Sequence, residues 1–274
     1  EVFMKPTDFA KYLTDFLSIY LTGQKNVSKN TIYSYRDTFK LLLEYCQKVK
    51  GIEIERISIA LLTTEVIKGF LGWLESDRRC SIPTRNQRLA SIHSFFRYVQ
   101  SQEPAGIYHF QKVIAIPVKK AKKKVVEYLS PELLKLILNQ PNKTTAKGRR
   151  DLTLLSVLYD TGARVQELID IMIIDVTLDA SPVISLRGKG NKIRRIPLMR
   201  NTRMLLETYL SENKLDKSWK NKYPLFTNNQ HHKLTKEGIA YILNKYVERA
   251  RDISSVIPKK ISPHVFRHSK AMHL

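Results

Sequence analysis

The sequence is poor in cysteine, in acidic residues and in long apolar runs. Two cysteines among 274 residues, Cys46 and Cys80, are too few for a disulfide framework or a four-thiolate zinc site, which indicates a reducing compartment. No run of about 18 apolar residues and no charged-then-apolar leader occurs, so the sequence predicts neither a membrane span nor a secretory signal. These absences favour a soluble, cytoplasmic protein that has no membrane partner.

The charge of the chain is strongly unbalanced. Lysine and arginine outnumber aspartate and glutamate by 47 to 25, which gives a formal net charge of +22 and a pI near 9.9. The hydrophobic fraction of 43% is large enough for folded cores and excludes global disorder. A folded chain with this excess of positive charge is typical of a protein that binds a polyanion, most often nucleic acid.

A short basic segment divides the chain. Residues 116–127 contain Pro117, five lysines and no apolar periodicity, which predicts a solvated linker. We therefore expect a first domain over residues 1–115 and a second over residues 128–274. The lysines either keep the linker soluble or lie along a phosphate backbone, and the candidates for DNA contact are Lys119, Lys120 and Lys122.

Apolar residues at helical spacing predict four helices and no strand in the first domain, a small helical bundle. On the second helix a basic stripe runs beside the buried face, and the fourth helix carries two arginines one turn apart. A solvated face would also be charged, but these stripes contain little acid to balance them. The candidates for DNA contact in this domain are Lys29, Tyr33, Arg36, Lys40, Arg85 and Arg88.

The second domain mixes helical and strand periods. Residues 132–138, 152–159 and 236–249 have helical spacing. Residues 182–198 indicate two short strands around a glycine-rich hairpin tip. The expected domain is therefore α+β, mostly helical with a small antiparallel sheet. Lys236, at the start of the last of these helices, is a further candidate for DNA contact.

The first of three candidate motifs lies at residues 160–168. One helix is expected to end at Gly162 and another to begin, which puts Arg164 in a first turn, where the helix dipole disfavours a cation. A residue placed against its local preference often serves a function. Glu167, three residues on, can hold the guanidinium while its free donors face an anion. The alternative is an ordinary surface ion pair.

The second motif is the hairpin tip, Gly188-Lys189-Gly190-Asn191-Lys192. Lys189 stands between two glycines and can extend outward without packing against its neighbours. Arg187 and Lys192 flank it as candidate DNA contacts. The alternative is a plain turn that happens to contain a lysine.

The third motif begins a helix, with Ser262 as its N-cap and Pro263 as its first residue. His264, Arg267 and His268 then project together from a helix N-terminus, a place where anions bind. Histidine can exchange a proton near neutral pH, and arginine offers a planar fork for phosphate oxygens. A basic surface helix is one alternative. A zinc site on the two histidines is another, although the glutamate of a metalloprotease helix is absent.

In this order, behind a basic helical domain, the three motifs resemble those of the tyrosine recombinases, the integrase and Xer-like family. The resemblance covers nearly the whole chain. In the second domain it rests on Thr161-Gly162-Ala163-Arg164 with Glu167-Leu168, on the hairpin tip, and on His264-x-x-Arg267-His268. In the first domain, helices of the family's core-binding domain are similar to Asn30-Thr31-Ile32-x-x-Tyr35 and Arg88-Leu89-x-x-Ile92-x-x-Phe95-Phe96-Arg97-Tyr98.

The resemblance implies a mostly α two-domain clamp around duplex DNA, with an N-terminal SAM-like helical core-binding domain and an α+β catalytic domain. It implies site-specific cleavage and rejoining of DNA strands by a tyrosine, through a 3′-phosphotyrosyl intermediate. It also implies that neither a metal nor another cofactor is needed. Chromosome-dimer resolvases, mobile-element integrases and transposases share these motifs.

The resemblance also implies roles for the candidate residues. Arg164 and Arg267 would bind the scissile phosphate and stabilise its charge. Lys189 would be the general acid that protonates the leaving 5′-oxygen. His264 would bind the phosphate or assist proton transfer from the nucleophile. The residues expected to support these four are Glu167 and His268.

The chain departs from the family pattern at one point. The family has a further His or Trp and then the nucleophilic Tyr after the His-x-x-Arg motif, whereas this sequence reads only as far as His273-Leu274. We therefore expect this chain to be a fragment that binds DNA without cleaving it. The full-length enzyme is expected to act as a homo-tetramer on two DNA sites.

Three other functions fit the basic surface. A non-catalytic DNA-binding protein that retains the recombinase fold would use the same residues as phosphate contacts. A metal-dependent transposase or nuclease would need paired carboxylates, for which Asp170 and Asp175 are the candidates. A type IB topoisomerase would share the phosphate chemistry and would relax DNA without pairing two sites.

Overall fold

The computed structural model describes residues 5–122, 127–188, 190, 192–216, 220–258 and 261–274. The chain folds as two compact units, Glu1–Lys123 and Lys124–Leu274. Each unit has its own cluster of buried apolar side chains. Within the described ranges, none of the helices has both the length and the apolar character needed to cross a membrane.

Five α-helices build the described part of the first unit, one more than the sequence predicted. Four of them begin at a Ser or Thr whose side chain accepts a hydrogen bond from the backbone N–H three residues on, which satisfies an otherwise free donor. The first helix continues into a π-helical segment, Phe16–Gln24. The helices are α1 (Asp8–Asp15), α2 (Lys29–Lys48), α3 (Thr64–Ser76), α4 (Ile82–Gln102) and α5 (Ile107–Ile114).

The core of the first unit is aromatic. Phe16, Phe39 and Phe95 are fully buried, with ring centroids 4.9 to 6.4 Å apart. The rings meet edge to face, a geometry that aromatic pairs favour. This cluster joins the π-helical segment, α2 and α4, and so fixes the orientation of α2.

The first unit extends past the expected boundary at residue 115. Ile116 is buried in the core of the unit. Lys119 Nζ lies 2.8 Å from Glu75 Oε1, and the Lys119 backbone O accepts a hydrogen bond from Asn86 Nδ2 at 2.7 Å. Ile116 is therefore buried in the unit, whereas residues 117–122 are exposed, and the bounds of the linker stay a prediction.

Six α-helices and a three-stranded antiparallel sheet of order β1-β2-β3 make up the described part of the second unit. This mostly helical α+β architecture confirms the predicted fold class. The strand β1 was not predicted, because two residues are too few to show an alternating pattern. The elements are α6 (Pro131–Leu138), α7 (Ala146–Thr161), α8 (Val165–Ile169), β1 (Val176–Thr177), β2 (Val183–Arg187), β3 (Ile193–Pro197), α9 (Arg200–Glu212), α10 (Lys236–Ile253) and α11 (Pro263–Met272).

The helix α7 is the most deeply buried element of the second unit. Its Asp151 carboxylate is buried and accepts hydrogen bonds from Arg150 Nη2 and from the Tyr246 hydroxyl, each at 2.7 Å. A charge in the core is tolerated when it is paired and hydrogen-bonded in this way. The first turn of α7 packs tightly on the preceding loop, since a Cβ added to Gly148 would lie 1.9 Å from Asn142 O.

We expect Gly148→Ala to lower the free energy of unfolding by about 1–3 kcal/mol, because the new methyl group would overlap a backbone carbonyl. Gly72→Ala on α3 is the matched control. It should be neutral or stabilising by about 0.5–1 kcal/mol, since nothing lies within 4 Å of the added carbon and alanine favours a helix. Urea unfolding followed by circular dichroism measures both changes. Equal stability of the two variants would contradict the tight packing at Gly148.

Candidate active site

The first predicted motif lies where α7 is followed by α8. Gly162 has a φ of +54°, a left-handed conformation that glycine adopts without strain, and it ends α7. Arg164 is extended, with φ −70° and ψ 152°, and is the N-cap residue of α8. The expectation that Arg164 lies inside the first helical turn is therefore wrong. Its backbone N–H donates to Glu167 Oε2 at 2.7 Å, so the glutamate caps the start of the helix.

Glu167 is the centre of the site, and its side chain is only 4% exposed. Arg164 Nη1 donates to its Oε1 at 2.8 Å. Arg194, from β3, donates Nη1 to Oε1 at 3.2 Å and Nη2 to Oε2 at 2.6 Å. Arg267 Nη1, from α11, lies 3.7 Å from Oε2. Three guanidinium groups from separate elements thus meet at one buried carboxylate, and we call these four residues the Glu167 cluster.

Burial alone would raise the pKa of Glu167, but its hydrogen bonds outweigh that effect. Bonds from the Arg164 N–H and from the Arg194 and Arg164 guanidinium groups favour the ionised carboxylate and lower its pKa. The pKa of Arg267 is lowered by burial and by the neighbouring arginine charges, yet an arginine stays charged at neutral pH. The cluster therefore has three positive charges against one negative charge and favours a further anion.

Arg267 is held in place by the end of α7. Its Nη1 donates to the backbone O of Gly162 at 2.7 Å. On the next turn of α11, Lys270 Nζ lies 3.3 Å from Asp160 Oδ1, which ties the same two helices together. The first and third motifs, distant in the sequence, therefore share one site.

The helix α11 begins as predicted, with Ser262 as its N-cap and Pro263 as its first residue. His264 is exposed, and His268 is half-buried. His264 thus faces solvent about one turn before Arg267, at a helix N-terminus whose backbone N–H groups attract anions.

The second motif lies partly outside the described residues, since Lys189 and Asn191 are not among them. Around them, the Gly188 N–H donates to the backbone O of Lys192 at 2.8 Å and closes the hairpin. A Cβ added to Gly188 would lie 3.4 Å from Glu167 Oε1. The hairpin tip therefore starts next to the carboxylate that binds the arginines.

Sequence reasoning missed Arg194. Side chains alternate along β3, where Arg194 pairs with Leu186 of β2 and faces Glu167, whereas the exposed Arg195 projects from the other face. The alternation of side chains along a strand could have predicted that these two arginines lie on opposite faces of the sheet. Which face meets α8 depends on how the sheet packs on the helix, and no local pattern encodes that. The available signal was a pair of arginines directly after the glycine-rich tip.

Most of the predicted DNA contacts lie at the surface. Two of them are exposed and also paired with a carboxylate: Arg187 Nη2 lies 3.2 Å from Asp175 Oδ1, and Lys119 is bound to Glu75. The other exposed candidates are Lys29, Tyr33, Arg36, Lys40, Lys120, Lys122, Lys192 and Lys236.

The two arginines of α4 differ from the prediction. The Arg85 side chain is only 7% exposed, and its Nε lies 3.4 Å from Glu75 Oε1. The half-buried Arg88 donates Nη1 to Ser34 O at 2.9 Å and to Thr38 Oγ1 at 3.1 Å. Arg85 is therefore held inside the unit by a carboxylate and is not on the exposed stripe that the sequence predicted. Arg88 joins α4 to α2.

The carboxylates considered for metal chemistry have cationic partners. Asp175 is buried beside Arg187. Asp170 accepts a hydrogen bond from Gln166 Nε2 at 3.0 Å and pairs with Lys233. Among the residues that the structure describes, no group of three or more His, Cys, Asp or Glu could hold a metal ion.

Comparison with known proteins identifies the family. Residues 127–274 match the phage integrase family, and residues 13–103 match the N-terminal SAM-like domain of phage integrases. The y4rD protein of Sinorhizobium fredii is 34% identical over 94% of this chain and 92% of its own length. Tyrosine recombinase XerD of Staphylococcus haemolyticus is 34% identical over 93% of this chain and 82% of its own length. The chain therefore belongs to the phage integrase family, that of the tyrosine recombinases.

A solved structure has the same fold. The integrase of the Tn1549 transposon, in complex with a circular intermediate DNA, is similar with a TM-score of 0.72 and 17% identity, over 98% of this chain and 87% of that one. This likeness supports the predicted architecture of a SAM-like helical unit followed by an α+β unit.

We expect Glu167→Gln to lower the free energy of unfolding by about 1–3 kcal/mol at pH 7, because three arginines lose their shared counter-charge. The folded-state pKa of Glu167 lies below its ordinary value of 4.5. Its charge therefore stabilises fully above that value, and this stabilisation is lost as the pH falls through the lowered pKa. Urea unfolding at pH 7 and below pH 4.5 should show a smaller difference between wild type and variant at the lower pH.

The control for this prediction is Glu207→Gln, which removes an exposed carboxylate paired with Arg203. It should change the free energy of unfolding by less than about 1 kcal/mol at either pH. A pH-independent difference for Glu167→Gln would show that the ionisation of Glu167 does not stabilise the fold.

Proposed function

We propose that the protein performs site-specific DNA recombination by metal-independent cleavage and rejoining of strands through a 3′-phosphotyrosyl intermediate. Family membership supports site-specific recombination itself. The observation that supports the mechanism is the Glu167 cluster, in which three guanidinium groups surround one buried carboxylate. A scissile phosphodiester suits this cluster, because attack by a hydroxyl increases the negative charge on the non-bridging oxygens.

Arg164 and Arg267 bind the phosphate in this proposal. Arg164 is 54% exposed and donates Nη1 to Glu167, so the rest of its guanidinium faces solvent. Arg267 donates Nη1 to Gly162 O and retains further N–H donors. Each guanidinium is anchored through one nitrogen and keeps its other N–H donors for a phosphate. Two oriented cations supply the charge stabilisation that a metal ion provides in other enzymes.

The remaining candidates transfer protons, bind the phosphate or support the site. Lys189 protonates the leaving 5′-oxygen, a role supported by the position of its neighbour Gly188 beside Glu167. His264, exposed at the N-terminus of α11, binds the phosphate or assists proton transfer from the nucleophile. Glu167 supports the arginines, and His268 supports the site from the following turn of α11.

DNA binding involves both parts of the chain in this proposal. Residues 1–115 act as the core-binding domain, residues 116–127 as a basic linker, and residues 128–274 as the catalytic domain. The exposed stripe of α2 and the exposed cations of the second unit supply phosphate contacts. The Tn1549 integrase, which has the same fold, was solved in complex with DNA. The full-length enzyme works as a homo-tetramer on two sites, in the cytoplasm at nucleoid DNA.

The Glu167 cluster contains no tyrosine, so it does not assign the nucleophile. No tyrosine follows Arg267 within the printed residues, and the family resemblance expects the nucleophile on that side of the motif. We propose that this chain of 274 residues binds recombination-site DNA.

We expect the product of the complete gene to form a covalent adduct with site-bearing DNA in the presence of a chelator, with a tyrosine-linked 3′-phosphate identified by mass spectrometry. Arg164→Ala or Arg267→Ala should lower the single-turnover cleavage rate about 100- to 1,000-fold, because each removes charge stabilisation from the transition state. DNA affinity should change little. Arg203→Ala, which removes an equal charge from an ion pair on α9, is the matched control and should cleave like wild type.

Several outcomes would contradict this proposal. Tight binding without any adduct from the complete gene product would favour a non-catalytic DNA-binding protein. Cleavage that requires a divalent cation would favour a metal-dependent nuclease or transposase. Relaxation of a plasmid without pairing of two sites would favour a topoisomerase.

We expect the double variant Lys29→Ala, Arg36→Ala to weaken DNA binding by the 274-residue chain and to flatten its salt dependence. Loss of two phosphate contacts should reduce the slope of log K against log salt by about 1.8. The control is Lys48→Ala, Arg56→Ala, which removes two exposed cations already paired with glutamates. Fluorescence anisotropy over a salt series measures both, and equal slopes would show that the α2 stripe does not contact DNA.

A further inference from the structure

Arg194 makes the most complete contact with the central carboxylate. Its two terminal nitrogens reach the two oxygens of Glu167 at 3.2 and 2.6 Å, the bidentate arrangement that combines strength with a fixed orientation. Arg164, by contrast, donates one side-chain nitrogen to Glu167. Arg267 approaches Glu167 only to 3.7 Å. Glu167 therefore accepts two side-chain hydrogen bonds from Arg194, one from Arg164 and none from Arg267.

The acceptor capacity of Glu167 is fully used. An ionised carboxylate offers about four acceptor positions. Four hydrogen bonds reach it, two from Arg194, one from the Arg164 guanidinium and one from the Arg164 backbone N–H. Arg194 thus supplies half of the bonds that hold the carboxylate in one orientation. That orientation in turn fixes the hydrogen bond to the Arg164 guanidinium, and the carboxylate charge attracts Arg267, whose own hydrogen bond goes to Gly162 O.

We propose that Arg194 is a positioning residue for DNA strand cleavage, which acts through Glu167 to hold Arg164 and Arg267 in the geometry that binds the scissile phosphate. The inference rests on the proposed function of the cluster. Glu167 takes one N–H from each terminal nitrogen of Arg194, so the paired edge that arginine uses for bidentate recognition of a phosphate is already in use. The Arg194 side chain is 36% exposed, so it lies at the edge of the site, beside the more exposed Arg164.

The position of Arg194 on β3 gives the contact a second effect. The strand β3 follows the hairpin tip, and the start of that tip, Gly188, lies beside Glu167. The Arg194–Glu167 pair therefore fixes the strand after the tip to the start of α8. Loss of this pair would leave the Arg164 guanidinium less firmly oriented. It would also remove a contact that holds the hairpin containing Lys189 against α8.

A double-mutant cycle on the complete gene product tests the proposal, with single-turnover cleavage of site-bearing DNA as the readout. Arg194→Ala should lower the cleavage rate about tenfold or more, as expected for the loss of an orienting partner. DNA affinity should stay within about twofold. In the Glu167→Gln background the same substitution should change the rate less than about twofold, because the group through which Arg194 acts is already altered.

Two variants separate this role from simpler effects. Arg195→Ala removes the same charge from the opposite face of β3 and should cleave like wild type. Arg194→Lys keeps the charge but not the planar fork, so its rate should fall between those of wild type and Arg194→Ala. If Arg194→Ala does not fold, as judged by circular dichroism, the same cycle is run with Arg194→Lys.

The acidic limb of the pH–rate profile is a second readout that a purely structural role would not move. Arg194 favours the ionised form of Glu167, so its removal should shift that limb to higher pH.

The outcomes distinguish the inference from the proposed function. Equal rate losses from Arg194→Ala in the wild-type and Glu167→Gln backgrounds would show that Arg194 acts on the substrate directly, and would overturn the positioning role. A wild-type rate in Arg194→Ala, or a loss matched by Arg195→Ala, would overturn it as well. If wild-type protein binds site-bearing DNA but never forms an adduct, the proposed function fails and the inference fails with it.

Discussion

One buried carboxylate sets the constraint on which the second unit depends. Glu167 is 4% exposed, and an unpaired carboxylate at that depth would lose its hydration without compensation. The surrounding elements must therefore bring cations and donors to it. The N-cap position of α8 supplies one, β3 supplies a second and α11 a third. The left-handed Gly162 makes this convergence possible, because it turns the chain from α7 into α8 and leaves its carbonyl to accept from Arg267.

The same arrangement explains why the site favours an anion. Three guanidinium groups share one carboxylate, so pairing inside the protein removes only part of their charge. Like charges at such distances repel each other, and burial adds to the cost, which is why the pKa of Arg267 is lowered. A phosphodiester between Arg164 and Arg267 would relieve this repulsion. Stability alone would be better served by fewer cations, which is consistent with a site arranged for ligand binding.

The sequence predicted features that depend on local signals and missed those that depend on packing between elements. The start of α11 at Ser262 and Pro263 follows from residue types that favour the first positions of a helix. Arg164 and Glu167 are three residues apart, so their pairing could be anticipated. Arg194 could not be assigned in the same way, because its contact with Glu167 depends on which face of a three-stranded sheet meets α8. That Arg267 shares a site with Arg164 could be predicted only because the ordered motifs resemble those of a known family.

The burial of Arg85 and the pairing of Lys119, which the sequence did not predict, have one physical cause. The same cause explains how a chain of net charge +22 keeps cations available for DNA. Helical spacing predicts that Arg85 lies on an exposed stripe. Its side chain is instead buried and paired with Glu75, which also pairs with Lys119. Arg36 on α2 has the same residue type and similar spacing but remains exposed. The difference lies in whether a nearby carboxylate is partly buried, because such a group needs a cation more than a solvated one does. In both units, therefore, the few acidic side chains in or near the core determine which of the many basic side chains stay free.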